Sequence, residues 1–121
     1  MKSKTILLAD DDSDVLESTQ YLLMEEGFNV ITATNGKQAT EQYKEFNPDV
    51  VFMDIKMPVL NGYDAFYQIK EFDKNAKIIL TSSYAIDDEQ FQKAKNNTLS
   101  DLLNKPFKLQ TMVHMIEKHS R

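Results

Sequence analysis

The amino-acid sequence predicts an α/β domain in which a five-stranded parallel sheet is covered by helices on both faces. Apolar runs rich in β-branched residues alternate with segments of helical spacing along the whole chain. The runs around Ile6, Val50 and Ile78 lack polar alternation, which is typical of strands buried on both faces. With 121 residues, 41% of them hydrophobic, the chain is long enough for one hydrophobic core. A single doubly wound domain follows from these three observations.

The predicted strands coincide with the apolar runs. They cover Thr5 to Ala9, Asn29 to Ala33, Val50 to Met53 and Lys77 to Leu80, with a weaker fifth strand at Leu102 and Leu103. Right-handed crossovers between consecutive strands would make all of them parallel and leave helices on both faces of the sheet.

Capping signals and helical periodicity predict the five helices between the strands. The first carries an apolar stripe and ends at Gly27, a typical C-terminal capping residue. The stripe consists of Val15, Leu16, Thr19, Leu22, Leu23 and Glu26. The second helix runs from Asn35-Gly36 to Phe46, the third from Gly62 to Phe72 behind Asn61 as N-cap, the fourth from Asp87 or Asp88 through Gln90 to Lys95, and the fifth from Lys108 towards Lys118.

Composition excludes several classes of function. The formal net charge of -5 makes unaided nucleic-acid binding a poor candidate, because phosphate contacts need a basic surface. The absence of cysteine excludes disulfides, thiolate metal sites and thiol nucleophiles. The first apolar run is too short for a signal peptide, and no later run approaches the length of a membrane span. We therefore expect a cytoplasmic protein with no direct nucleic-acid or membrane partner.

Polar residues follow the strands at the edge where α/β sheets bind their ligands, outside the carboxyl ends of the strands. These residues are Asp10, Asp11 and Asp12 after the first strand, Asp54 at the end of the third, Thr81 to Ser83 at the end of the fourth, and Lys105 after the fifth. Clustered carboxylates without cysteine or paired histidine favour Mg²⁺, with Mn²⁺ as the alternative, over zinc. A lysine and a hydroxyl beside that metal would complement a phosphoryl group, and an aspartate can accept one.

Four stretches at these strand ends resemble the response-regulator receiver domain of two-component signalling, of the chemotaxis-regulator type. They are ILLADDD, VVFMDIKMPVLNG, IILTSSY and LLNKPF, and Pro58 and Gly62 follow Asp54 at a spacing typical of receivers. Each motif alone is weak, but all four in order are specific. The resemblance covers residues 1–121 and implies one flavodoxin-like (βα)5 domain with strand order 2-1-3-4-5.

The resemblance also implies roles for single residues. Asp54 would be phosphorylated by a sensor histidine kinase or a histidine phosphotransfer protein, without the domain being an enzyme in its own right. Asp11 would touch Mg²⁺ directly, Asp10 would act through water, and the backbone carbonyl of Lys56 would be the third protein ligand besides Asp54. Asp12 would face solvent or start the first helix.

The remaining implied roles concern the phosphoryl group and the output. Lys105 would pair with the phosphoryl group and be joined to Pro106 by a cis peptide. Ser82 is the predicted switch hydroxyl, with Thr81 as its rival. Receivers usually carry an aromatic residue where this chain has Leu102, so the route from the site to an unknown downstream protein is open.

Two other functions remain as alternatives at this stage. An aspartate-nucleophile phosphatase commonly needs a second aspartate two residues after the nucleophile, but Lys56 occupies that position. A phosphorylation-independent binding module would retain the fold without the chemistry. No output domain is expected from the 121 residues themselves, and both a stand-alone regulator and one domain of a longer protein stay open. His114 and His119 are interpreted as surface residues of a polar last helix.

Overall fold

The computed structural model describes residues 3–83, 88–96 and 99–120. The strands are β1 (Thr5–Ala9), β2 (Asn29–Ala33), β3 (Val50–Asp54), β4 (Ile78–Ser82) and β5 (Asp101–Asn104). The helices are α1 (Ser13–Glu25), α2 (Gly36–Phe46), α3 (Gly62–Phe72), α4 (Asp88–Asn96) and α5 (Leu109–His119).

The five strands form one parallel sheet in the order β2-β1-β3-β4-β5, which confirms the predicted fold and strand order. The chain runs outward from β1 to β2 and then returns past β1 to β3, so the strand order reverses beside β1 and β3. Ala9 pairs with Met53 across these two strands. The residues that follow β1 therefore lie beside the carboxyl end of β3, where such sheets bind ligands.

Side chains from the sheet enter two separate cores. Leu7, Val51 and Leu80 belong to the core under α2, α3 and α4, whereas Ile6 and Phe52 belong to the core under α1 and α5. Because successive side chains of a strand point to opposite faces, the central strands need apolar residues at every position. The burial of both faces of these strands explains why their sequences lack polar alternation.

Side-chain caps fix the starts of α2 and α3. The Asn35 side chain accepts a hydrogen bond from the Gln38 amide at the start of α2, and Asn61 caps α3 in the same way. Both caps confirm the predicted starts. Gly27 lies just beyond α1 with φ of 97°, a left-handed conformation that glycine adopts at little cost.

α1 is a helix, as predicted, but fewer residues of its apolar stripe are buried than the sequence suggests. Only Leu16 and Leu23 are buried, whereas Val15 and Leu22 of the predicted stripe are 37% and 45% exposed. α1 contacts β1, β2 and α5, and of its stripe only Leu16 and Leu23 belong to the core formed there.

The other predicted bounds differ from the structure by one or two residues. β3 extends through Asp54, β4 is shifted to Ile78–Ser82, and α5 begins after Lys108. α4 begins at Asp88, and Asp87, the other predicted start, lies outside the described residues. Within the described part of the chain, every helix is too short or too polar to cross a bilayer.

Candidate functional site

Three carboxylates meet at the carboxyl ends of β1 and β3. Asp10 and Asp11 follow β1, Asp54 is the last residue of β3, and one carboxylate oxygen of each lies within 4.8 Å of the other two. Asp10 and Asp54 are buried, whereas Asp11 is exposed. The structure thus brings together the acids that the sequence predicted to converge, with one of them open to solvent.

Lys105 bridges two of these acids. Its Nζ donates to Asp10 Oδ2 at 2.5 Å and to Asp54 Oδ2 at 3.2 Å. The backbone amide of Lys105 donates to the carbonyl of Ser82 at 2.8 Å, which continues the β4–β5 pairing beyond β5. The peptide bond to Pro106 is cis, as the resemblance implied.

Burial and charge both perturb this cluster. Burial raises the pKa of the Asp54 carboxyl, the negative charges of Asp10 and Asp11 raise it further, and Lys105 opposes them without reversing the shift. The pKa of Lys105 is also raised, because its hydrogen bond to Asp10 and the nearby charges outweigh the opposite effect of burial. Lys105 forms ion pairs with Asp10 and Asp54, two of the three clustered carboxylates.

The three consecutive acids have different surroundings. Asp10 Oδ1 accepts from the Asp12 amide at 2.9 Å while Oδ2 pairs with Lys105, so both carboxylate oxygens of Asp10 have protein partners. The Asp12 side chain accepts from two amides in the first turn of α1 at 3.1 and 3.2 Å, which confirms that this residue starts the helix. Asp11 and Asp12 are both exposed, and of the clustered carboxylates of Asp10, Asp11 and Asp54 that of Asp11 is the one most accessible to a cation from solvent.

The β3–α3 loop (residues 55–61) leaves the site directly after Asp54. The amide of Ile55 donates to the Thr81 carbonyl at 3.0 Å, and the carbonyl of Ile55 accepts from the Gly62 amide at 2.8 Å. Lys56 follows Ile55, and its side chain is exposed. These bonds fix both ends of the loop, while the role of the Lys56 carbonyl as a ligand stays a prediction.

The two candidate switch hydroxyls are adjacent and buried at the end of β4. Thr81 pairs with Asp54 in the β3–β4 register and lines a small cavity beneath Asp10, on the α1 and α5 side of the sheet. Ser82 is the next residue, and strand alternation turns its side chain to the other face. The choice of Ser82 over Thr81 therefore remains a prediction.

Leu102 lies on the face of the sheet that α3 and α4 cover. It is partly buried and packs against that core. Tyr84, which would follow the switch hydroxyl by two residues, lies outside the described residues.

The interpretation of His119 as a surface residue was wrong. Its Nε2 lies 3.0 Å from Asp101 Oδ2, and only 16% of the His119 side chain is exposed. Burial raises the pKa of Asp101, but the hydrogen bonds from His119 and from the Leu102 amide, together with nearby positive charge, outweigh it and lower that pKa. Because α5 runs back along β5, the last turn of the helix meets the first residue of the strand, and no local signal in the sequence marks this pair. His114 is exposed, as predicted.

Comparisons with known proteins agree with this geometry. The family described as "Response regulator receiver domain" matches residues 6–117. The chain belongs to the response regulator receiver domain family. This receiver domain is 36% identical over 119 residues to a chemotaxis protein CheY of Thermotoga maritima, with 98% of both chains covered. It is 37% identical over 115 residues to a chemotaxis protein CheY of Halobacterium salinarum, with 94% of each covered.

Solved structures are similar along nearly the whole receiver domain. A CheY-like response regulator receiver domain protein from Methanospirillum hungatei has a TM-score of 0.90 at 24% identity, with 97% of this chain and 93% of that one covered, which shows the fold. A chain in the CheX–CheY–BeF3–Mg²⁺ complex from Borrelia burgdorferi has a TM-score of 0.85 at 28% identity, with 95% and 87% covered. The chain is therefore a CheY-like receiver domain of two-component signalling, and these matches do not favour the phosphatase or the phosphorylation-independent module.

Proposed function

We propose that this receiver domain accepts a phosphoryl group on Asp54 from a phosphohistidine of a sensor histidine kinase or a histidine phosphotransfer protein. The observation that carries the proposal is the contact set around Asp54. This carboxylate is buried, has Lys105 Nζ at 3.2 Å, and shares its site with Asp10 and Asp11. An acceptor carboxylate needs a nearby cation that will hold the phosphoryl oxygens, and Lys105 is placed for that task.

The donor set fits a hard divalent cation. Carboxylate oxygens of Asp10, Asp11 and Asp54 lie within 4.8 Å of one another, and oxygen donors suit Mg²⁺, with Mn²⁺ as the alternative. We assign Asp11 and Asp54 as direct ligands, Asp10 as a ligand through water, and the Lys56 carbonyl as the third protein ligand. When bound, the ion supplies positive charge that offsets the carboxylates and the incoming phosphoryl oxygens.

The residues of the chain then carry out the transfer. A carboxylate oxygen of Asp54 attacks phosphorus in line, the new P–O bond forms as the P–N bond to the donor imidazole breaks, and the imidazole takes the bonding electrons as it leaves. The Lys105 ammonium, held by Asp10 at 2.5 Å, donates to a phosphoryl oxygen. The Ser82 hydroxyl donates to another. The product is an acyl phosphate on Asp54.

The new charge would act on the output face. A phosphoryl group on Asp54 attracts the Ser82 hydroxyl and the segment after β4, which biases α4, β5 and α5 towards a state that binds a downstream protein. The similar chain in the CheX–CheY–BeF3–Mg²⁺ complex from Borrelia burgdorferi supports this proposal, because BeF3 has the shape of a phosphoryl group. The domain thereby assists its own phosphorylation and does not turn over a separate substrate.

The direct test is phosphorylation with acetyl phosphate and Mg²⁺. The wild-type domain should incorporate acid-labile phosphate, and Asp54→Asn should incorporate none. Asp64→Asn, which removes an exposed acid from the first turn of α3, is the matched control and should label like the wild type. Undiminished labelling of Asp54→Asn would exclude Asp54 as the acceptor, and steady turnover of phosphate esters would favour the phosphatase instead.

A further inference from the structure

The β3–α3 loop packs against the first residue of α2 with no side chain between them. A Cβ built on Gly36 would lie 2.7 Å from the carbonyl carbon of Leu60 and 2.9 Å from its Cβ, and closer still to the Leu60 carbonyl oxygen. Ordinary van der Waals contacts of a Cβ begin at 3.4 Å. The backbone of the loop and the backbone of α2 are therefore in direct contact at Gly36.

The loop itself adopts an unusual conformation. Val59 has φ of 67°, a region that β-branched residues rarely occupy, and its side chain is 77% exposed. The amide of Leu60 donates to the Pro58 carbonyl at 2.7 Å, which closes a tight turn around Val59. Strained conformations of this kind persist when the surrounding structure holds them. The contact with Gly36 is one such restraint, since it fixes the carbonyl of Leu60.

The start of α2 is the rigid side of this contact. Asn35 caps the helix through a 2.8 Å bond from the Gln38 amide, and the buried Thr40 hydroxyl donates to the Gly36 carbonyl at 3.0 Å. Gly36 itself is buried at the base of the helix. A side chain at position 36 would therefore displace Leu60 and the loop rather than the helix.

We infer that Gly36 is a positioning residue for the phosphoacceptor site. Because it lacks a side chain, the backbone of Leu60 rests on the start of α2, and this contact holds the β3–α3 loop in the geometry that presents the Lys56 carbonyl to the metal. The inference rests on the proposed function, in which that carbonyl is a ligand. Moving Leu60 from 2.7 Å to an ordinary contact of 3.4 Å requires at least 0.7 Å of displacement, and Mg²⁺ demands near-ideal octahedral geometry.

The test compares Gly36→Ala with Gly27→Ala in the full chain. Two quantities are measured by NMR, the Mg²⁺ dissociation constant and the hydrogen exchange of the Gly62 amide, which bonds to the Ile55 carbonyl. Gly36→Ala should weaken Mg²⁺ binding by about 10-fold or more, as loss of an outer support commonly does, and should reduce protection of the Gly62 amide. Gly27 has φ of 97° and nothing within 4 Å of an added Cβ, so its variant is strained far from the loop and should keep both values.

Unchanged Mg²⁺ affinity and unchanged Gly62 protection in a folded Gly36→Ala variant would overturn the inference. If Gly36→Ala does not fold, the same substitution is made in a Val59→Gly background, where the turn can adjust, and is compared with Val59→Gly alone. Equal Mg²⁺ affinity of these two proteins would also overturn it. A wild-type domain that neither binds Mg²⁺ nor accepts phosphate would refute the proposed function. Hydrogen exchange is measured without metal, so the protection of the Gly62 amide would still test the role of Gly36 in holding the loop.

Discussion

Substitution of Gly62 by alanine should disturb the site from directly behind the acceptor. Gly62 is the first residue of α3, and a Cβ there would lie 2.8 Å from Cα of Ile55 and 2.9 Å from the carbonyl carbon of Asp54. The carbonyl oxygen of Asp54 would be closer still. All three neighbours are backbone atoms at the end of β3, so no side-chain rotation can relieve the overlap. Restoring the 3.4 Å of an ordinary contact from 2.8 Å moves one backbone by at least 0.6 Å.

The size of the effect follows from that displacement. Added atoms in a closely packed region typically cost about 1–3 kcal/mol, and the better helix propensity of alanine returns less than about 1 kcal/mol at a first helical position. We expect Gly62→Ala to lower the free energy of unfolding by about 2 kcal/mol. A misplacement on the order of 1 Å can slow a reaction about 100-fold, so a shift of this size at Asp54 should slow phosphorylation at least about 10-fold.

Urea unfolding measures the first quantity, and the initial rate of labelling by acetyl phosphate with Mg²⁺ measures the second. Gly27→Ala is the control, because a left-handed alanine costs about 1–2 kcal/mol without touching the site. This control should lose similar stability and keep the wild-type labelling rate. A Gly62→Ala protein that is as stable as the wild type, or that labels as fast as Gly27→Ala, would refute the expected displacement of Asp54.

Three further predictions concern the hydroxyls, the acceptor carboxylate and the histidine pair. Ser82→Ala should slow labelling by acetyl phosphate by roughly 100-fold while Thr81→Val leaves the rate nearly unchanged, and the reverse order would assign the switch to Thr81. Asp54→Asn should raise the midpoint of urea unfolding at pH 7, because burial raises the pKa of Asp54 and its ionised form therefore opposes folding. This gain in stability should shrink as the pH falls towards 4, where the wild-type carboxyl becomes protonated. A variant that is less stable than the wild type at pH 7 would contradict the prediction. Asp101→Asn should lower the free energy of unfolding by about 1 kcal/mol at pH 7, since the His119 hydrogen bond helps to lower the pKa of Asp101. This contribution to stability is present above the unfolded pKa near 3.8 and is lost as the pH falls through the lower folded pKa. Unfolding curves at pH 7 and pH 3 that give the same difference between variant and wild type would argue against it.

The fold was predictable because its signals are local. A strand buried on both faces has no polar position to spare, so the apolar runs at β1, β3 and β4 mark the centre of the sheet. Asn35 and Asn61 accept hydrogen bonds from amides two or three residues into their own helices, and such caps can be read without knowing what the helix packs against. For this reason α2 and α3 begin and end where the sequence predicts.

What the sequence could not reveal depends on partners distant along the chain. The stripe on α1 identifies its apolar face, but which of its residues the sheet and α5 enclose is a property of the assembled fold. The pairing of His119 with Asp101 likewise exists only because α5 returns along β5. At the end of β4, Thr81 and Ser82 both carry a hydroxyl group, and their side chains point to opposite sides of the sheet. The sequence does not specify which of these two hydroxyl groups points towards Asp54.

The run of three acids after β1 is tolerated because the side chains of Asp10 and Asp12 have partners within the protein. Asp10 is neutralised by Lys105 and by the Asp12 amide, and the Asp12 carboxylate binds amides at the start of α1, where the helix dipole favours negative charge. Asp11 is left exposed beside the buried Asp54, whose pKa is already raised. Besides burial, the negative charges of both Asp10 and Asp11 raise the pKa of Asp54, and Asp11 and Asp54 are the two residues proposed to bind the cation directly. A divalent ion at that point would relieve the repulsion and favour the ionised form of the acceptor, so the same contacts that oppose folding without metal prepare Asp54 for attack.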